Sequence, residues 1–200
     1  MNSEVRKPVQ NRSIETKNKI MVSALELFST VGYYKTNTAQ IAKNAGVSTG
    51  IVYGYFKDKR DILLSVLEIY IDKVSKPILD IIKATTNPIN IENLVEKIFD
   101  GVITIHKENA PLHQALHSMT NSDEIVNKKF LELEDNLTKE IFVTFKELNF
   151  PSNNLAEKIH LSMNLIQSFS HEFIYDNHSY LDYTQMKTLV LNVIINLFKN

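Results

Sequence analysis

The 200-residue chain contains no cysteine. That removes disulfides, thiolate metal ligands and a cysteine nucleophile together, and it fits a reducing compartment. Glycine and proline number only five each, which leaves room for long unbroken helices. No apolar run approaches the ~18–20 residues of a membrane span. The opening MNSEVRKPVQNRS lacks the apolar core of a secretory signal. These shortages predict a soluble, cytoplasmic protein. Enzyme constellations are missing too: there is no phosphate loop, no nucleophile paired with a base and no catalytic carboxylate pair. Glu132, Glu134 and Asp135 look like a solvated helix face. Neither an enzyme nor a cofactor is expected.

Hydrophobic residues make up 44% of the chain, enough for a real core. The net charge of −1 hides a split. Residues 1–60 carry ten Lys+Arg against four Asp+Glu, a net of +6. Residues 61–200 carry twelve against nineteen, a net of −7. A basic head on an acidic body points to a polyanion partner for the head alone.

Apolar residues recur at three- and four-residue spacing nearly throughout, and no segment alternates as a strand would. The expected fold is therefore all-α, with about nine helices. Ile20, Ala24, Leu27, Phe28 and Val31 make the stripe of a first helix from Ser13, a plausible N-cap, to Val31, with Gly32 as its stop. Residues 1–12 are expected to be a flexible arm. The fourth helix should open near Lys59 behind the cap Asp58, and Pro77 should kink or split it. Further helices are expected over 91–108, 111–119, 123–148, 154–175 and 183–198. The implied division is arm 1–12, head 13–58 and body 59–200.

The segment TNTAQIAKNAGVSTGIVYGYFKDK, residues 36–59, carries the most chemistry. Asn37 with Gln40 three residues on forms a capping-box pattern before a short helix over 38–45. Gly46 permits a sharp turn. Ser48 is placed to cap a third helix over 49–56, in which Val52 and Phe56 face inward. Two short helices joined this way form a helix-turn-helix, whose second helix enters the DNA major groove.

The run IAKNAGVSTGIVYGYFKDKRDIL behind a basic amphipathic helix resembles the DNA-binding domain of the tetracycline-repressor (TetR) family of transcriptional regulators. The likeness rests on Gly32-Tyr33, Thr36–Thr38, Ile41-Ala42, Ala45–Ser48, Gly50, Tyr53, Phe56, Lys59 and Ile62-Leu63, and spans about residues 13–66. It implies an all-helical homodimer that binds palindromic double-stranded operator DNA, usually to repress. It also implies that a small-molecule effector in the body changes the separation of the two heads. Carried over by position, the DNA contacts are Thr38, Ser48, Thr49, Gly50, Ile51, Tyr53, Tyr55 and Lys59. Ala39, Ile51 and Gly54 stand where longer polar side chains could read bases, and the recognition helix has no Arg, Asn or Gln. Affinity should therefore lean on phosphates, with A·T-rich sites favoured through thymine methyls and DNA shape.

For the body, the resemblance implies dimerisation through the last two helices, about 154–176 and 183–198. Leu155, Ile159, Leu165, Ile166 and Phe169 populate one, and Leu189, Val190, Val193, Ile194 and Leu197 the other, with Ala156, Ser162 and Ser170 small enough for close approach. Aromatic and methionine residues could line a pocket for a hydrophobic or amphipathic effector. The candidates are Phe99, Phe130, Phe142 and Met163, with His106, His113, His117, Asn164 and Gln167 as polar anchors. His113 and His117 lie one turn apart and could share a zinc or nickel ion. No cysteine or suitably placed carboxylate completes such a set, so no metal is expected. A DNA-organising protein of the same fold without an effector is the alternative.

Overall fold

The computed structural model describes residues 7–199, with side chains described from Arg12 onward, and among these residues every regular element is a helix. In order they are α1 (Lys7–Thr30), α2 (Thr38–Asn44), α3 (Thr49–Tyr55), α4 (Lys59–Lys83) and α5 (Ile91–Glu108). Then come α6 (Ala110–Met119), α7 (Glu124–Glu147), α8 (Leu155–Tyr175) and α9 (Tyr183–Lys199).

The expected boundaries hold to within a residue or two, except at the first helix. Ser13 does not cap α1. It lies inside a helix that has already run from Lys7, so residues 7–12 are helical where an arm was expected. Pro8 falls in the first turn, where its missing N–H costs nothing. The rest of the expected arm, residues 1–6, lies outside the described residues. Pro77 sits within α4 without splitting it.

The chain forms two compact units, and their division departs from the one expected. The first comprises residues 1–71 and 109–126, the second residues 72–108 and 127–200. In the first, α1 packs on both α2 and α6. Ile20, Ala24 and Phe28 of α1 are buried, as are Leu112, Ala115 and Leu116 of α6. Gly32, in the left-handed region at φ +97°, brings the chain beside Pro111: a Cβ there would lie 3.7 Å from that ring's Cβ. The sixth helix is thus built onto the head. A short helix over 111–119 was expected from the sequence, but not that its Leu112, Ala115 and Leu116 would be buried in the unit that holds the head.

In the second unit Ile78, Ile82, Leu94, Phe99, Ile141, Phe145, Ile159, Phe169 and Ile194 belong to one core. α5 packs on α8 and α9, and α8 packs on α9. Gly101 lets α5 approach the preceding helix, since a Cβ there would come within 3.1 Å of Ile78 Cδ1.

Candidate nucleic-acid interface

The helix-turn-helix is assembled by local rules. Asn37 Oδ1 accepts from the Gln40 N–H at 2.9 Å, and Gln40 Oε1 accepts from the Asn37 N–H at 2.8 Å. This reciprocal capping box starts α2 and uses two N–H groups that the helix leaves unbonded. Gly46, at φ +68°, makes the turn. Ser48 Oγ accepts from Ile51 N–H at 3.4 Å and begins α3. Ile41, Ala42, Val52 and Phe56 are buried, and they fix α2 and α3 with one face inward. Asp58 Oδ1 caps α4 by accepting from Asp61 N–H at 2.8 Å.

What remains outward is the candidate interface. Thr38 Oγ1 and Tyr53 OH meet at 3.0 Å across α2 and α3. Whichever donates, the other hydroxyl keeps its proton for an acceptor outside, such as a phosphate oxygen. Ile51 and Tyr53 are 43% and 55% exposed, so neither serves the core. Ser48 is exposed and Thr49 half-buried. Gly50 is exposed, and a Cβ there would meet nothing nearer than Ser48 Oγ at 3.9 Å. Gly54, one turn on, is exposed with nothing within 4 Å. Helix packing therefore explains neither glycine.

Two expected contacts have prior engagements. Tyr55 is half-buried, and its hydroxyl meets Ser13 Oγ of α1 at 3.2 Å. Lys59 donates to the carbonyls of Tyr33 and Thr36, both at 3.0 Å, and its ammonium stands 4.3 Å from the Tyr33 ring centroid. It therefore ties the loop after α1 to the start of α4, and of its three N–H groups one is left for a phosphate. Desolvation by burial raises the Tyr33 phenol above its usual pKa, with the Asp58 charge adding to it. Lys35, Lys43 and Lys57 are exposed around this face.

Residues 20–66 match the family of bacterial regulatory proteins called the tetR family. Over these residues the chain is similar to the tetR family. Over 75 residues it is 43% identical to the HTH-type transcriptional regulator HbdR of Aromatoleum sp. (strain CIB), a match covering 38% of this chain and 33% of that protein. The chain thus spans about a third of the length of that relative. The whole fold is similar to a TetR-family protein of Mesorhizobium loti, with a TM-score of 0.75 at 16% identity, covering 94% of this chain and 96% of that one. It is also similar to the fatty acid degradation regulator FadR of Bacillus halodurans, with a TM-score of 0.65 at 19% identity, covering 90% and 94%. The family match in sequence covers residues 20–66, whereas the likeness in fold extends over at least 90% of the chain.

The pocket candidates of the body fall in both units. His113 and His117 belong to the first unit, the other seven to the second. His113 is buried, and its Nδ1 pairs with Tyr70 OH at 2.6 Å. Its ring stacks on that of the exposed His117 with centroids 6.0 Å apart. Phe99, His106 and Phe130 are buried, with Phe99 packed on Phe169 and His106 Nδ1 at 2.8 Å from the Val102 carbonyl. Phe142, Met163 and Gln167 are half-buried, and Thr138 donates to Met163 Sδ. Asn164 is exposed, which removes it as a pocket anchor within its own chain. A cavity of about 560 Å³ in the second unit lies instead among Asp80, Ile81, Thr85, Pro88, Asn93 and Lys97.

The residues expected at a dimer interface divide in two. Leu155, Ile159, Ile166, Phe169 and Ile194 are buried within the chain itself. Ser162 and Ser170 are buried as well, so they do not line an outer surface. The others are not: Leu165, Val190 and Leu197 are half-buried, and Leu189 and Val193 are 65% and 52% exposed, as is Leu161, outside the expected set, at 47%.

One pairing lay beyond sequence reasoning. Arg60 Nε and Nη2 both donate to Asp123 Oδ2, the former at 3.0 Å, across 63 residues of chain. Asp123 Oδ1 also accepts from the N–H groups of Ile125 and Val126 and so caps α7. Burial pushes the Asp123 carboxyl up, but the Arg60 guanidinium and these amides outweigh it and hold the group below its usual range. A helix starting here was expected from the sequence; neither its aspartate cap nor the distant arginine was.

Proposed function

We propose that this chain is a homodimeric, DNA-binding transcriptional regulator of the TetR family acting in the cytoplasm, with no catalytic role of its own. It binds a palindromic operator and, as a repressor, leaves it when a hydrophobic or amphipathic molecule binds the helices after the head. The observation that carries this reading is the outward face of α3. There the Thr38–Tyr53 hydroxyl pair, Ile51 and the open backbone at Gly50 and Gly54 stand clear of the core, within the first sixty residues, whose net charge is +6. Such a face offers hydroxyls to phosphates, a branched apolar side chain to thymine methyls, and no side chain for bidentate base recognition. A·T-rich half-sites follow, set about 34–36 Å apart by the dimer.

Two features support an apolar effector. Aromatic side chains cluster in the second unit, where Phe99, Phe169, Phe173 and Tyr183 stack in sequence. The Bacillus halodurans neighbour of similar fold is itself named a fatty acid degradation regulator. An effector acts by favouring a head separation other than the one the operator needs.

The test is selection of DNA from a random library by the full chain, followed by binding titrations with and without fatty acids and their thioesters. An A·T-rich palindrome, bound more weakly when an effector is present, is the expected result. A G·C-rich consensus with strong guanine readout would contradict the interface reading. The absence of any sequence preference at physiological salt would contradict the regulator reading.

A further inference from the structure

We propose that the N-terminal turns of α1 form a second phosphate-gripping element beside the recognition helix, with Arg12 and Lys17 as its cations. The proposal rests on the DNA-binding reading above and extends the interface beyond the helix-turn-helix.

The first ground is that these turns have no core to serve. α1 begins at Lys7, yet the first buried side chain along its described part is Ile20. From Arg12 to Lys19 every side chain is exposed, apart from the half-buried Thr16. The eight residues from Arg12 to Lys19, at about 1.5 Å each, reach roughly 12 Å past Ile20. Such an exposed stub is marginal alone, because most helical stability comes from packing an apolar face.

The second ground is its anchor. Ser13 and Lys17 continue the stripe of Ile20 and Ala24, and both turn to the end of α3. Ser13 Oγ meets Tyr55 OH at 3.2 Å, and Lys17 Nζ lies 5.6 Å from the Phe56 ring centroid. The stub therefore runs beside the C-terminal end of the recognition helix, at the margin of the DNA face.

The third ground is charge. Arg12, Lys17 and Lys19 are exposed on these turns, opposed there by the single acid Glu15. The surface is continuous with the DNA face and complementary in sign to a sugar–phosphate strand. The occupant is the duplex flank next to the groove that α3 enters. Such a contact adds affinity without reading bases, because phosphates carry no sequence information of their own.

The experiment uses the full chain and two DNA fragments of equal length, one recovered from a random library by the wild type and one unrelated. Affinity is measured across a salt series for the wild type, for Arg12→Ala/Lys17→Ala and for Arg12→Lys/Lys17→Arg. The alanine variant should flatten the slope of log affinity against log salt by about two per protomer, hence about four for a dimer on both half-sites, roughly one per lost cation. Its affinity should fall by similar factors on both fragments, and the charge-preserving variant should keep the wild-type slope. An unchanged slope overturns the grip. So does weaker binding at unchanged slope, which would make Lys17 only a packing residue on Phe56. A wild type that binds neither fragment overturns the DNA reading itself, and this proposal with it.

Discussion

Gly54 is the sixth residue of the seven-residue α3, where glycine costs up to about 1 kcal/mol relative to alanine. A Cβ there would meet no atom within 4 Å, so the fold gains nothing from its absence. If the gap serves a ligand that approaches the backbone, Gly54→Ala should separate stability from binding. The variant should unfold at a higher temperature, by up to about 1 kcal/mol in stability. It should also bind the selected DNA roughly tenfold more weakly, the equivalent of about 1.4 kcal/mol. Thermal unfolding and a binding titration on the same preparation check both halves; equal affinity would show that nothing needs the gap. Lys59 teaches the opposite lesson. Its position suggested a phosphate clamp, but two of its N–H groups already hold carbonyls of the loop after α1.

Among the elements, the start of α7 depends most on a partner distant in sequence. Asp123 caps that helix while accepting the Arg60 guanidinium from the start of α4. Because its carboxyl is held below the usual range, its contribution to stability is complete above the unfolded carboxylate value of about 3.9 and disappears as pH falls through the lower folded value. Asp123→Asn should therefore lower the melting temperature near neutral pH, with the difference from wild type closing at pH values below the usual carboxylate range. Melting curves across that range test it, and a difference that persisted in strong acid would place the role elsewhere. The short helices needed less than this. The capping box of α2 and the serine cap of α3 act within four residues, which is why their starts were legible.

For the whole molecule, the central question is what covers α8 and α9. Most of their apolar residues enter the chain's own core or pack against it, whereas Leu161, Leu189 and Val193 stay outside. A four-helix bundle between two copies would cover these three. Leu189→Glu/Val193→Glu should convert a dimer to monomers in sedimentation at micromolar concentration, with helical content unchanged. The monomer should lose its preference for a palindrome over a half-site. A wild type that already sediments as a monomer would refute the dimer.

Helix number, the head's resemblance and the helix limits, apart from the start of α1, were legible in the sequence. They rest on interactions within a few residues: three- to four-residue apolar periodicity, caps, and glycines at Gly32 and Gly46 that take positive φ. The tertiary structure alone decided how those helices were shared out. Apolar periodicity shows that a face will be buried but not against what, so it could not assign α6 to the head or half of α8 to the chain's own core. Nor could it reveal that Lys59 and Tyr55 are already bonded, or that Arg60 meets Asp123, because those contacts join residues 23 to 63 positions apart. Local order follows from neighbours along the chain. The rest depends on which of many similar apolar and charged surfaces meet when the helices pack, and only the folded chain makes that choice.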